Sequence, residues 1–138
     1  MNNMMQNKEY KTAFFIGLAA FALMMIAAFL EFATISIGSY SIVSFTFLDM
    51  FQQETEGHFV IAFLAASIIW LLIHKRWACI VGAFHSAGCT ISILMAYLTH
   101  HPKPSAMGVG AVVMLLSALA ILVTCIVRAG AIKNTSNV

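Results

Sequence analysis

The chain has 138 residues, of which 62% are hydrophobic and 9% are charged, and its mean hydropathy is +0.94. Soluble domains average about half apolar and a quarter charged residues, so this composition excludes a soluble fold. The formal net charge is +2. The cations flank apolar runs and do not form one basic face, which argues against nucleic-acid binding and favours attraction to membrane lipids.

Four apolar runs predict four membrane-spanning helices, since a span needs about 20 apolar residues to cross ~30 Å of hydrocarbon. The runs cover residues 12–30, 59–73, 77–98 and 107–127. The second run is the shortest and would rise only about 22 Å as a helix. Either His58 and His74 complete its ends, or the helix begins near Thr55. We therefore expect a single all-α integral membrane domain over residues 1–138, folded as a four-transmembrane-helix bundle.

The distribution of Lys and Arg predicts the orientation of these helices. If the four runs span the membrane, only Lys103 lies on one side. The other side collects Lys8, Lys11, Lys75, Arg76, Arg128 and Lys133. An excess of cations on one side is typical of the cytoplasmic face. We expect both termini in the cytoplasm and a location in the plasma membrane, which is the inner membrane in a Gram-negative bacterium.

The first external loop, residues 31–58, differs from the rest of the chain in its pattern of polar and apolar residues. Polar and apolar residues alternate over Thr34–Ile37 and over much of Tyr40–Phe47, and Gly38–Ser39 lies between them. This pattern predicts a short β-hairpin over the outer end of the bundle. The alternatives are an irregular loop or an interfacial segment that inserts aromatic and apolar side chains into the headgroups, namely Phe45, Phe47, Leu48 and Phe51.

Four helices with a β-bearing first external loop resemble the claudin-type tetraspan layout. The resemblance is one of topology, because residues 31–58 contain no Cys and no Trp, the residue types that mark the corresponding claudin loop. It therefore implies a layout of elements and assigns no functional residue.

Small residues at helical spacing predict the faces on which the helices pack. The first helix carries Ala13 and Gly17, and the third carries Gly82, Ser86 and Thr90. Small residues four apart let two backbones approach closely in a membrane. The third helix has the longest such stripe, so we expect it to be the central helix.

His85 is the sharpest candidate for a functional side chain. It lies about 12 Å along the third helix from Trp77, close to the expected membrane centre, where an ionisable residue is costly. Ser86, Cys89 and Ser92 follow it and could extend a polar track. The imidazole could instead be neutral and hydrogen-bonded to Ser67, to Ser86 or to a carbonyl. Roles in proton relay, substrate contact or ligation of a metal or haem are further alternatives.

A second group of candidates is expected outside the membrane, where acids and histidines gather in the loops. Such residues can bind a divalent metal or titrate near pH 6. Their spacing matches no metal motif, so we predict no metal site, and the plainest interpretation is a solvated loop surface. The group comprises Glu31, Asp49, Glu54, Glu56, His58, His100 and His101.

No catalytic motif occurs in the chain, and no cofactor is predicted. The first functional hypothesis is therefore a small non-catalytic membrane protein that recognises another membrane protein, as an accessory, regulatory or immunity-type subunit. Recognition would use the third helix or the external hairpin. The alternative is a homo-oligomeric channel or transporter with His85 lining the path.

Overall fold

The computed structural model describes residues 7–37, 41–47, 49, 55–99 and 106–136. The chain is mostly helical and carries one small sheet. In chain order the elements are α1 (Lys8–Ala27), β1 (Glu31–Ile37), β2 (Ser41–Thr46), α2 (Thr55–Ala65), α3 (Ser67–Leu72), α4 (Arg76–Thr99), β3 (Ala106–Met107) and α5 (Val109–Ser136).

Three helices in the described part of the chain are long and apolar enough to cross a membrane. These are α1, α4 and α5, with 20, 24 and 28 residues. At 1.5 Å per residue they rise about 30, 36 and 42 Å. Helix α1 begins at the Asn7 cap, whose side chain accepts a 3.0 Å hydrogen bond from the Glu9 amide. Helix α5 continues nine residues beyond the predicted end at Val127.

The second predicted helix is not one continuous helix, so a fourth uninterrupted span is not confirmed at this position. The helix begins at Thr55, which was the alternative start, but a turn at Ala66 divides it into α2 and α3. The Ile69 amide donates to the Ala66 carbonyl at 3.0 Å, an i to i+3 bond that tightens the chain locally. Neither piece alone is long enough to cross a membrane.

Helix α5, and not the predicted third helix, is the centre of the packing. Its contacts with α1 and with α4 are the most extensive between elements of the described chain. Two predicted small residues permit this approach. A Cβ added at Gly17 would lie 2.8 Å from Leu71 Cδ2 and 3.0 Å from Thr124 Oγ1. Ala13, four residues earlier on α1, is 5% exposed.

Gly82 has the same role on α4. A Cβ added there would lie 2.9 Å from Trp70 Cβ and 3.1 Å from Cys125 Sγ. Gly82 thus brings α4 against both α3 and α5. Among the other predicted packing residues, Ser86 is buried and Thr90 is half-buried, and the Thr90 hydroxyl donates to the Ser86 carbonyl at 3.0 Å.

The predicted hairpin is confirmed, and it belongs to a three-stranded sheet of order β2-β1-β3. Strands β1 and β2 pair antiparallel, with Ile35 opposite Val43, and a register shift between Glu31 and Ala33. The predicted turn at Gly38–Ser39 lies outside the described residues. Strand β3 was not predicted, because two residues carry no readable alternation. The sheet thus adds one short strand to the hairpin that was expected beside the helices.

Aromatic packing and a glycine fix the sheet to the helices. Phe32 is fully buried, with its ring centroid 5.3 Å from that of Phe47 and 6.3 Å from that of Tyr97 on α4. The Gly108 amide donates to the Phe32 carbonyl at 2.8 Å. A Cβ at Gly108 would lie 2.2 Å from the Glu31 carbonyl oxygen, so only glycine fits where α5 begins.

The two ends of the packed helices differ in charge. The sheet occupies one end, which we call the sheet end, and Glu31 and Asp49 are exposed there. The other end contains the start of α1, the turn between α3 and α4, and the last turns of α5. We call it the basic end, because its exposed cations are Lys8, Lys11, Lys75, Arg76 and Lys133.

Candidate functional site

His85 joins a polar cluster between α3 and α4, which we call the His85 cluster: Ser67, His85 and Cys89. The Ser67 hydroxyl lies 3.4 Å from His85 Nδ1 and 3.7 Å from Cys89 Sγ. Cys89 Sγ lies 3.8 Å from the same ring nitrogen. Ser67 is the first residue of α3 after the break at Ala66. The cluster therefore joins the broken segment to the continuous helix α4.

Aromatic rings surround the imidazole of His85. The Phe63 ring centroid lies 4.3 Å from it, and the Trp70 ring centroid lies 6.4 Å away. His85 Nε2 is buried and makes no well-formed hydrogen bond within the described residues. The Phe63 backbone lies close enough to interact with the imidazole. An imidazole in apolar surroundings with hydroxyl and thiol neighbours is held neutral.

The other predicted polar residues of this helix do not extend the cluster into a track. Ser86 is buried, and its Oγ has no hydrogen-bond partner in the described part of the chain. Ser92 is half-buried. Within the described residues, no group of three or more His, Cys, Asp or Glu side chains is placed to hold a metal ion. The arrangement can fasten two helices through neutral hydrogen bonds.

A second polar cluster lies at the basic end, and sequence reasoning missed it. We call it the Arg128 cluster: Tyr10, His74 and Arg128. Arg128 is fully buried. Its Nη2 donates to the Tyr10 hydroxyl at 3.0 Å, to the Leu71 carbonyl at 2.9 Å and to the Ile73 carbonyl at 3.3 Å. One guanidinium thus connects α5 with α1 and with the end of α3.

The two carbonyls bonded by Arg128 lie at the end of α3, where helix carbonyls lack partners within the helix. A cation at a helix C-terminus is also favoured by the helix dipole. The rings of Tyr10 and Phe14 lie 5.1 and 5.6 Å from the guanidinium carbon, so two cation–π contacts add to this stabilisation. Arg128 Nε and Nη1 are buried without a hydrogen bond to the described residues.

Hydrogen bonding in this cluster determines the protonation of His74. The Tyr10 hydroxyl contacts His74 Nδ1 and accepts a hydrogen bond from Arg128, which can only donate. The Tyr10 hydroxyl uses both of its roles when it accepts from Arg128 Nη2 and donates to an unprotonated Nδ1 of His74. His74 is then neutral. Burial, and next the charge of Arg128, lower the pKa of His74 below its ordinary value of 6.5.

In the sequence, Arg128 has the position of a cation that flanks the fourth apolar run, which predicts an exposed side chain. The structure corrects this assignment, since α5 continues through Arg128 to Ser136. One signal was available: Ala129, Gly130, Ala131 and Ile132 follow Arg128 and extend the apolar run. An arginine inside such a run is expected to find internal partners.

Of the predicted external group of acids and histidines, the structure describes the side chains of Glu31 and Asp49. Glu31 is exposed at the start of β1. Asp49 accepts a 3.0 Å hydrogen bond from the Thr46 amide, and the bonds from Thr46 lower the pKa of the Asp49 carboxyl. Glu54, His100 and His101 lie outside the described residues. Glu56 and His58 belong to the first turn of α2, but their side chains are likewise outside the description.

Comparison with known protein families and with curated proteins finds no match to this chain.

Proposed function

We propose that the chain is an integral membrane protein that crosses the membrane four times and acts without catalysis, by recognising another membrane protein. The fourth crossing segment in this proposal is α2 together with α3, whose 11 and 6 residues rise about 26 Å combined. The break at Ala66 would lie inside protein, since non-helical backbone at membrane depth is tolerated only where it is buried or lines a cavity.

One observation supports this proposal most directly: Tyr10, His85 and Arg128 of the long helices bond to other helices, while large apolar side chains face outward. On α4, Phe84 is 77% exposed and Ile91 is 62% exposed, and on α5 Leu116 is 62% exposed. Soluble monomers rarely expose apolar patches of more than a few hundred Å². A lipid environment removes the cost of this exposure.

Charge supports an orientation for the proposed protein. The exposed Lys and Arg of the described residues collect at the basic end, and cations are enriched on the cytoplasmic side of membrane proteins. We therefore propose cytoplasmic termini, an external sheet, and the plasma membrane as the location, or the inner membrane in a Gram-negative cell.

The recognition surfaces follow from the same distribution of residues. Because Ser67, His85 and Arg128 are engaged between helices, they do not offer a polar path through the protein. The surfaces left for contact are the sheet, where Val43 is 46% exposed, and the outward face of α4, where Phe84 and Ile91 lie. An accessory, regulatory or immunity-type subunit would use such surfaces to bind a larger membrane protein.

Site-specific photo-crosslinking in membranes of the source cell tests this proposal. We would place p-benzoylphenylalanine at Val43 and at Phe84, with Leu23 on α1, which is 53% exposed, as the matched control. The proposal predicts an adduct of one defined protein at Val43 or Phe84 and no such adduct at Leu23. Adducts with further copies of this chain alone would contradict it.

The alternative is an oligomeric channel or transporter that uses His85. The observation that favours it is the buried Nε2 of His85, which has no well-formed hydrogen bond within the described residues. Flux of protons or monovalent ions into liposomes containing the purified protein would test this function. Flux that His85→Leu abolishes would establish the alternative, whereas equal behaviour of both proteins would exclude His85 from any path.

A further inference from the structure

An open groove runs between α1 and α5 on the outward surface of the helices. Its volume is about 650 Å³, within the range of about 300–1,000 Å³ that is typical of small-molecule sites. Ile16 of α1 and Leu119 and Val123 of α5 line its walls. Thr124 also lines it, but the Thr124 hydroxyl donates to the Ile121 carbonyl at 2.8 Å. The walls therefore present an apolar surface.

The length of the groove matches one leaflet of a bilayer. Its lining on α5 extends from Leu116 to Val127, which is about 17 Å at 1.5 Å per residue. One half of the hydrocarbon core is about 15 Å thick. At the basic end Lys8, Glu9 and Thr12 line the groove, and its lining reaches Ile16 on α1 and Leu116 on α5. This length and the apolar lining suit a single acyl chain.

Charges at the mouth of the groove indicate the headgroup. Lys8 and Glu9 are both exposed there, so the mouth offers one cation and one carboxylate, with the Thr12 hydroxyl beside them. A phosphate would pair with Lys8 and accept from Thr12, and an ammonium would pair with Glu9. A purely anionic headgroup would meet repulsion from Glu9.

We propose that this groove binds one phosphatidylethanolamine molecule of the cytoplasmic leaflet. The acyl chain lies between α1 and α5, the phosphate lies at Lys8 and Thr12, and the ammonium lies at Glu9. This inference rests on the membrane insertion proposed above, and it is independent of which protein the chain recognises. The bound acyl chain covers the apolar seam between α1 and α5, and α5 is the helix at the centre of the packing.

Photo-labelling with a lipid probe tests the site. The purified full chain is reconstituted in vesicles of equal parts phosphatidylethanolamine and phosphatidylglycerol, with a trace of phosphatidylethanolamine carrying a diazirine in its acyl chain. Labelled peptides are then identified by mass spectrometry. We expect labels concentrated on the groove faces of α1 and α5. Ala120→Phe, which fills the groove, lowers this labelling about tenfold. Ala62→Phe, on the exposed surface of α2, leaves it unchanged.

Two further variants keep the test decisive. Thr12→Phe obstructs the groove from an exposed position and lowers labelling even if Ala120→Phe folds poorly. Glu9→Gln lowers labelling by the phosphatidylethanolamine probe and not by a phosphatidylglycerol probe, whereas Glu31→Gln at the sheet end changes neither.

Three results would overturn the proposal. Labels spread evenly around the helices, or labelling that both filling variants leave intact, would show that the groove is not a lipid site. Equal labelling by both probes, unaffected by Glu9→Gln, would refute the headgroup assignment. Extraction of the vesicles with alkaline carbonate separates these results from a failure of insertion. Release of the protein would overturn the membrane proposal and the lipid site with it.

Discussion

The His85 cluster and the Arg128 cluster both join helices, but they differ in charge and in what they hold together. The His85 cluster is neutral and connects α3 with α4 through one hydroxyl at 3.4 Å or more. The Arg128 cluster contains a fully buried cation and connects α1, α3 and α5 through three shorter bonds. The residue that looked most functional in the sequence thus makes the weaker connection, and a residue that looked like a topological marker makes the stronger one.

The comparison predicts that Arg128→Met has the largest effect on stability. The substitution strands the Leu71 and Ile73 carbonyls and removes the donor to Tyr10. Each buried polar group left without a partner costs about 1–3 kcal/mol. Because removal of a buried charge offsets part of this loss, we expect the free energy of unfolding to fall by about 2–4 kcal/mol. Thermal unfolding in a mild detergent measures it.

Arg76→Met is the matched control, because Arg76 is an exposed cation at the same end. Its effect should stay within about 0.5 kcal/mol. Equal stability of Arg128→Met and the parent protein would mean that the desolvation of the guanidinium cancels its hydrogen bonds, and the Arg128 cluster would lose its place as the stronger connection.

Gly82→Ala should have the next largest effect, and it should loosen both clusters at once. Gly82 lies three residues before His85, and its neighbour Cys125 lies three residues before Arg128. An added Cβ at 2.9 Å from Trp70 Cβ forces α4 to shift. Overpacking of this kind costs about 1–3 kcal/mol.

Gly130→Ala is the matched control, because nothing lies within 4 Å of the added Cβ. It should be stabilising by about 0.5–1 kcal/mol through helix propensity. A Gly82→Ala protein as stable as Gly130→Ala would refute the close approach.

His85→Leu should cost less than either of these changes. Ser67 retains the thiol of Cys89 as a neighbour, and hydrogen bonds between membrane helices average about 0.6 kcal/mol. We expect a loss of about 0.5–1 kcal/mol in the free energy of unfolding, against no change for the outward-facing control Ile91→Leu. A loss as large as that of Arg128→Met would reverse the ranking of the two clusters.

The smallest expected effect is a pH dependence that belongs to the Arg128 cluster. The pKa of His74 is lower in the folded protein than its ordinary value of 6.5, so folding favours the neutral imidazole. The contribution of His74 to stability is complete above pH 6.5 and is lost as the pH falls from there towards the lower folded pKa. His74→Asn keeps an acceptor for Tyr10 but does not titrate.

Thermal midpoints of the parent protein and of His74→Asn, measured at about pH 7.5 and pH 5.5, isolate this contribution from that of the carboxylates. We expect the parent to lose more stability than the variant between the two values. Identical losses would show that His74 does not titrate differently on folding, and would contradict the proton arrangement inferred for Tyr10 and His74.

The sequence predicted the long elements well, because their signals are strong and local. The apolar runs gave α1, α4 and α5, and the alternation at Thr34–Ile37 gave the hairpin. Small residues gave correct contacts at Gly17 and Gly82. The small residues nevertheless predicted the wrong central helix. A stripe of small residues shows that another helix can approach closely, but it does not show how many helices do so.

The remaining features depend on contacts that are distant in the chain. The break at Ala66 has no Pro or Gly to mark it, and it becomes intelligible only when Ser67 is seen beside His85. Tyr10 and Arg128 are 118 positions apart, so no local pattern relates them. The two residues of β3 become a strand only because Ala33 and Thr34 pair with them.

Polar residues of the helices hold the protein together, and we propose that its outward surfaces recognise another membrane protein. The most direct test is native mass spectrometry of the chain purified in mild detergent from its source cells, with every co-purifying protein identified. We expect one defined partner at fixed stoichiometry. A homo-oligomer without any other protein, conducting ions in a manner that depends on His85, would contradict it.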